Sequence, residues 1–209
     1  MNARTAYIVG KGGHAHVIRS LLAHDRVRFL VDGERETDDI GQAEFFAGEP
    51  DRDGDYYVGI GDNQARRAYF DRLKRLGLRL PPCLAPTAFV ARDATLGEGV
   101  FLAPGAVVNA RSRIGDNVIV NTLASVDHDC EVGDDSQLAP GVTFGSHIRV
   151  GRGCFFGMRS CVIPRLDIGE GAIVMAGALV VRSAPAGVML GGVPARIMRG
   201  AAARSRSGD

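Results

Sequence analysis

Aliphatic or aromatic residues recur at every sixth position from Val90 to Val180 without an insertion: Val90, Leu96, Leu102, Val108, Ile114, Val120, Val126, Val132, Leu138, Phe144, Val150, Phe156, Val162, Ile168, Val174 and Val180. An amphipathic helix repeats at about 3.6 residues and a half-buried strand at about 2, so neither explains the pattern. A sustained hexapeptide period predicts a parallel β-helix. Each hexad supplies one short strand and one turn, and its leading residue points into the prism. Four residues later the side chain is mostly small or β-branched: Ala94, Val100, Ala106, Ser112, Val118, Ala124, Cys130, Ser136 and Val142. Such a residue fits the cramped space at a corner. Glycine often follows the leader, as at Gly97, Gly115, Gly133, Gly151 and Gly169, and turns such as Gly115-Asp116-Asn117 tolerate an unusual backbone. Three hexads close a coil of eighteen residues, so the run predicts a little over five coils, spaced at about 4.8 Å.

Composition removes several classes of function. The chain has 209 residues, 45% apolar and 23% charged, with a net charge of +1; this describes a soluble globular protein with no electrostatic case for a nucleic-acid partner. The longest apolar runs, such as Ala172–Ala176, are too short to cross a membrane. The opening MNARTAYIVG enters a strand-like run at once and shows no secretion signal. Cys83, Cys130, Cys154 and Cys161 have no CxxC or zinc spacing and read as buried thiols in a reducing cytoplasm.

Residues 1–80 follow a different pattern. A strand at Ala6–Val9 leads into Gly10-Lys11-Gly12-Gly13-His14-Ala15 and then a helical pattern through Val17, Ile18, Leu21 and Leu22. A second strand, Arg28–Val31, ends at Asp32-Gly33; a third, Tyr56–Ile60, ends at Gly61-Asp62-Asn63 before a helix over 64–76. Strand, glycine turn, helix, strand and acid begin a nucleotide-binding α/β unit of Rossmann-like form. The string G-x-G-x-x-A fits the dinucleotide fingerprint, with Asp32 near the expected distance for a ribose partner. Eighty residues hold only half of a doubly wound sheet, which favours one mononucleotide. The alternative is a glycine turn that merely joins strand to helix, and Lys11 either contacts a phosphate or is solvated. Residues 81–88 (PPCLAPTA) contain three prolines and read as a linker. The β-helix then occupies 89–199, and 200–209, rich in Ala, Ser and Arg, reads as a disordered tail.

Of five histidines, His24 reads as surface and His16 as structural. His128 lies at a coil corner after leader Val126, flanked by Asp127 and Asp129. A carboxylate bonded to one ring nitrogen fixes the tautomer and raises basicity at the other, which suits a general base. The alternative is a solvated turn histidine.

The stretch NTLASVDHDCEVGDDSQLAPGV (121–142), together with Gly10-Lys11-Gly12-Gly13-His14, Ile60-Gly61-Asp62-Asn63 and Gly192-Val193-Pro194-Ala195-Arg196, resembles the sugar O- and N-acyltransferases of the sialic-acid O-acetyltransferase type. These include N-acetyltransferases of nucleotide-linked 4-amino-4,6-dideoxy sugars, such as the bacillosamine-pathway and GDP-perosamine enzymes. The resemblance covers about residues 5–199. It implies a left-handed β-helix, a homotrimer, and acetyl-CoA in a groove between adjacent prisms. It also implies His128 as general base and Asp129 as its orienting acid. Gly12, Gly13, His14, Asp32, Gly33 and Gly61 would lie near the nucleotide-sugar, and Asn121 near the sugar. Ser146, Met158, Ala176 and Gly177 would line the CoA groove. The period itself stacks Ser146 one coil above His128. Gln137 stands where many relatives carry a second histidine in the acetyl pocket; its amide can donate a hydrogen bond but cannot take up a proton at neutral pH.

The expected activity is acetyl-CoA-dependent N-acetylation of the C4 amino group of a nucleotide-linked sugar, in the cytoplasm. An O-acetyltransferase of the sialic-acid type and a non-catalytic sugar-nucleotide binding module are the alternatives. A three-histidine zinc site is not expected, because only His128 and His147 fall in the repeat region.

Overall fold

A computed structural model of the chain describes residues 4–198. The N-terminal unit contains β1 (Thr5–Val9), α1 (Gly13–Leu21), β2 (Arg26–Val31), β3 (Ile40–Gly41), α2 (Gln42–Ala47), β4 (Asp55–Val58) and α3 (Asn63–Arg75). The strands form one parallel sheet in the order β3-β2-β1-β4. Strand β4 is buried throughout and β1 almost throughout, as expected for central strands covered on both faces. Asp62 caps α3 by accepting from the Ala65 N–H at 2.8 Å. β3 and α2 went unread in the sequence. Two and six residues are too short to display a period, and α2 is held by burial of Phe45. At Gly59 a Cβ would lie 2.6 Å from that of Ala15; glycine there lets α1 close onto β4.

From residue 83 the chain coils through three sheets of eight, six and five strands, parallel except for the last strand of the eight. Register advances by eighteen residues per coil: Ser125 pairs with Val107 below and Thr143 above. The predicted interior is present. Leaders from Leu102 to Val180 are at most 5% exposed, and the fourth-following residues from Val100 to Ser160 are fully buried. Leaders Val90 and Leu96, at the open end of the stack, are only half-buried.

Two expectations need correction. The left-handed backbone is taken by the third residue after the leader, as at Asn117 (φ 57°) and Asp129 (φ 59°), and not by the glycine directly after it. That glycine answers to space: a Cβ at Gly133 would meet the Arg152 nitrogen of the next coil at 2.7 Å. The segment read as a linker is also part of the helix. Cys83–Leu84 pairs in parallel with Phe101–Leu102, and the prolines are tolerated because this is an edge strand. At the other end, Met189–Gly192 and Ala195–Ile197 form an antiparallel pair. The tail read over 200–209, with Arg199, lies outside the described residues.

The α/β unit packs on the outer face of the eight-stranded sheet. Ala15 and Ile18 of α1 join Cys83, Phe101 and Ile119 in one apolar cluster. Arg66 of α3 is buried in this seam at 1% exposure. It donates to the carbonyls of Asn117 and Asp135 on two successive coils at 3.2 and 2.9 Å. It also donates to the Gly61 carbonyl and to Asn63 Oδ1. Four acceptors offset the burial that would otherwise penalise the charge.

Candidate functional site

His128 and Asp129 lie on the corner where the chain leaves the six-stranded sheet at Val126 and enters the five-stranded sheet at Glu131. The corner is braced from inside. Ser112 Oγ donates to the Asp127 carbonyl at 2.6 Å and accepts from the Cys130 N–H at 3.0 Å. Asp127 Oδ1 accepts from the His128 N–H at 2.8 Å and from Asn109 Nδ2 at 3.1 Å. The half-exposed His128 ring then sets Nδ1 2.6 Å from Asp129 Oδ2. Among the described residues its Nε2 makes no hydrogen bond.

Asp129 is held in turn. Arg111, one coil below, donates from Nε to Oδ1 at 2.6 Å and from Nη2 to Oδ2 at 2.8 Å. Arg111, then His128, keep the Asp129 carboxyl well below the usual carboxylate range. An ionised carboxylate only accepts, so His128 donates from Nδ1, and Nε2 is the ring nitrogen left unengaged by Asp129. His147, one coil above, brings Nε2 to 3.6 Å from Asp129 Oδ2, and its ring meets that of His128 edge-on at 5.4 Å. The donor atoms of His128, Asp129 and His147 lie within 4.8 Å of one another. In this arrangement the carboxylate is engaged by Arg111 and by the Nδ1–H of His128.

The other predicted residues fall into two groups. Gly12, Asp32, Gly33 and Gly61 sit on exposed loops at the carboxyl ends of β1, β2 and β4, and Gly13, also exposed, opens α1. That is where parallel sheets bind ligands, at the switch between β1 and β4. A Cβ at Gly12, Gly13, Gly33 or Gly61 would meet nothing within 4 Å, so this chain leaves the loops open on the outside. Asn121, Met158, Ala176 and Gly177 occupy the corner between the eight- and six-stranded sheets, while Ser146 stacks above His128 on the His128 corner. Gln137 is on the eight-stranded sheet between Ile119 and Phe155, with Oε1 enclosed and unpartnered.

Over 93% of its length and 96% of the other's, the chain is 34% identical to a histidine-to-asparagine variant of perosamine N-acetyltransferase from Caulobacter crescentus in complex with CoA and GDP-perosamine (TM-score 0.84). It also matches the acetyltransferase domain of PglB from Neisseria gonorrhoeae in complex with acetyl coenzyme A, at TM-score 0.90 and 31% identity over 94% of this chain and 100% of that one. Residues 5–73 match the PglD N-terminal domain, and 111–146 the bacterial transferase hexapeptide (six repeats). The chain belongs to the PglD-type hexapeptide-repeat acyltransferases. Its coil is accordingly the left-handed β-helix that the resemblance implied. Serine acetyltransferase 2 from Arabidopsis thaliana is 29% identical over 114 residues, 51% of this chain. The chain spans less than a third of the length of the curated relatives it matches.

Several residues of this acyltransferase depart from their sequence reading. His14 does not face the open loops. Its ring packs edge-on against Phe101 of the β-helix at 4.7 Å, with Nε2 enclosed and unpartnered. Burial, then the charge of Arg66, lowers its pKa to about 4, so it is neutral at physiological pH. Lys11 takes neither of its two readings, because Asp39 and Glu36 hold it at 2.9 and 3.0 Å. His24 is not free surface; it pairs with the buried Asp55 at 3.0 Å. The sequence reading missed Arg66 and Arg111. Arg111 leaves a usable trace, because residues eighteen apart share a corner and an arginine at that spacing from Asp129 must stack beside it.

Proposed function

We propose that the chain is an acetyl-CoA-dependent N-acetyltransferase acting on the C4 amino group of a nucleotide-linked 4-amino-4,6-dideoxy sugar. The observation that carries the reading is the His128 ring, with Nδ1 bound to an ionised Asp129 and Nε2 free at an exposed corner. In this reading the acceptor nitrogen attacks the thioester carbonyl carbon while His128 Nε2 takes its proton. The new C–N bond forms, the C–S bond breaks, and the departing thiolate is protonated to free CoA. The relative that binds CoA and GDP-perosamine supports this substrate class. The open glycine loops and Asp32 would hold the nucleotide. Met158, Ala176, Gly177 and Ser146 would line the CoA groove, with Gln137 near the acetyl group. Acetyl-CoA and nucleotide sugars place the reaction in the cytoplasm.

An assay offering amino and hydroxyl acceptors on UDP-, GDP- and dTDP-sugars tests the reading. Acetylation of hydroxyls alone, or tight nucleotide-sugar binding without turnover, overturns it. Asp32→Ala should weaken nucleotide-sugar binding at least tenfold and leave CoA affinity unchanged in separate calorimetric titrations. Equal loss of both would mean that the substitution disturbs the fold.

The reading includes a homotrimer. The proposed CoA residues stand on two different edges of one prism, flanking the six-stranded face, so a second copy is needed to bring the edges together. The outward positions of that face, Phe89, Val107, Ser125, Thr143, Cys161 and Leu179, carry no charge. The five-stranded face instead shows Arg113, Glu131, Arg149 and Asp167. An uncharged open face suits burial in a cyclic assembly. Light scattering should return three copies, and a dilution-stable monomer with full activity would refute the shared groove.

A further inference from the structure

We propose that Arg111 is a positioning residue for the general base, acting through Asp129. The inference rests on the proposed function only in taking His128 as the base. The guanidinium grips the carboxylate through two nitrogens, Nε to Oδ1 at 2.6 Å and Nη2 to Oδ2 at 2.8 Å. A planar fork on a planar carboxylate fixes its rotation as well as its place. That rotation decides whether Oδ2 faces His128 Nδ1, which it meets at 2.6 Å. His147, at 3.6 Å, is too far to do this by hydrogen bonding.

The same contact has an electrostatic consequence. Asp129 shares its negative charge between Arg111 and His128. Without Arg111 the whole charge would act on the imidazole and favour its protonated form. Arg111 therefore keeps the base oriented and draws part of the carboxylate's charge away from the imidazole. The other charged groups around the pair are few. Asp93 lies near Arg111. Asp127 is engaged by the His128 backbone and Asn109. Above lies a groove of about 230 Å³ lined by Asp129, Glu131, His147, Arg149, Arg165 and Asp167. Cys130 turns its thiol inward to the Gly145 carbonyl. Arg111 is the only cation among the described residues that touches Asp129 through two hydrogen bonds.

The test follows the ring resonances of His128 by NMR through a pH titration of the full-length protein, beside the pH dependence of kcat/KM on an amino-sugar acceptor. Arg111→Gln should move the His128 titration and the acid limb of the rate profile together to higher pH. It should also lower plateau kcat by about tenfold through misalignment. Arg111→Lys restores charge without the fork, so the titration should return toward wild type while kcat recovers only in part. A His128 titration that stays put in Arg111→Gln overturns the proposal, whatever happens to melting temperature. A moved titration with unchanged kcat overturns the positioning role. If no amino sugar is acetylated by the wild type, the proposed function fails, and the NMR titration still decides whether Arg111 governs the state of His128.

Discussion

His128→Ala should lower kcat by about 10²–10⁴-fold, the usual worth of a positioned general base. The loss should stop short of complete inactivity, because amine and thioester would still be held together. Melting temperature should hardly change. The ring is half-exposed, while the coil is held by the buried Val126 and Cys130 on either side. Asp129→Asn should cost less than the histidine, since the imidazole remains and loses only its orienting charge. Steady-state kinetics on an amino-sugar acceptor, with thermal unfolding of each variant, measures both halves of the expectation. A His128→Ala protein with near wild-type kcat would mean that the amine reaches the thioester unaided, and the mechanism would be wrong.

The largest stability effect is expected at Arg66. Arg66→Met keeps most of the volume but removes every donor from a buried seam. The buried carbonyls of Asn117 and Asp135 then lose a partner, and each unsatisfied buried acceptor costs about 1–3 kcal/mol. A total on the order of 3–5 kcal/mol is expected in chemical denaturation. The α/β unit should loosen first, with KM for the nucleotide-sugar rising more than KM for acetyl-CoA. A midpoint unchanged from wild type would show that the two units do not depend on this contact. The seam also has a pH signature. His14 has a folded pKa near 4 against about 6.5 unfolded. Between those values the unfolded chain holds the extra proton, so stability should fall as pH drops through that window.

The β-helix was legible because its interior admits one side chain per hexad, and that demand repeats at every turn of the chain. The first strand, glycine loop and helix were legible for a similar reason: the sequence pattern and the local geometry coincide. What escaped depends on partners distant in sequence. Nothing near His14 announces that Phe101 will cover it, and nothing in α3 marks Arg66 as different from its neighbour Arg67. The linker reading failed because three prolines outweighed Cys83-Leu84, although Leu84 lies one hexad before Val90 and keeps the six-residue step. His128 and Asp129 were visible as a pair because they are adjacent in the chain. Arg111 required the corners to be aligned eighteen residues apart.

The three corners differ in one respect that bears on the history of the fold. At the corner joining the five- and eight-stranded sheets, Gly99, Gly153 and Gly171 share the left-handed backbone with Asn117 and Asp135; at the next, Gly105, Gly141 and Gly177 share it with Leu123 and Arg159. At the corner carrying His128 it is taken by Arg111, Asp129, His147 and Arg165 at φ 56–63°, and among the described residues by no glycine. Glycine meets that geometry with the least steric resistance, so a column without it holds its side chains at a steric cost. In a lineage released from the reaction, glycine would be favoured at those four positions by stability alone. Its third corner would then come to mix glycine with other residues, as the other two do. A descendant could thus lose its chemistry while its architecture grew more robust, and the composition of a single column would tell the two states apart.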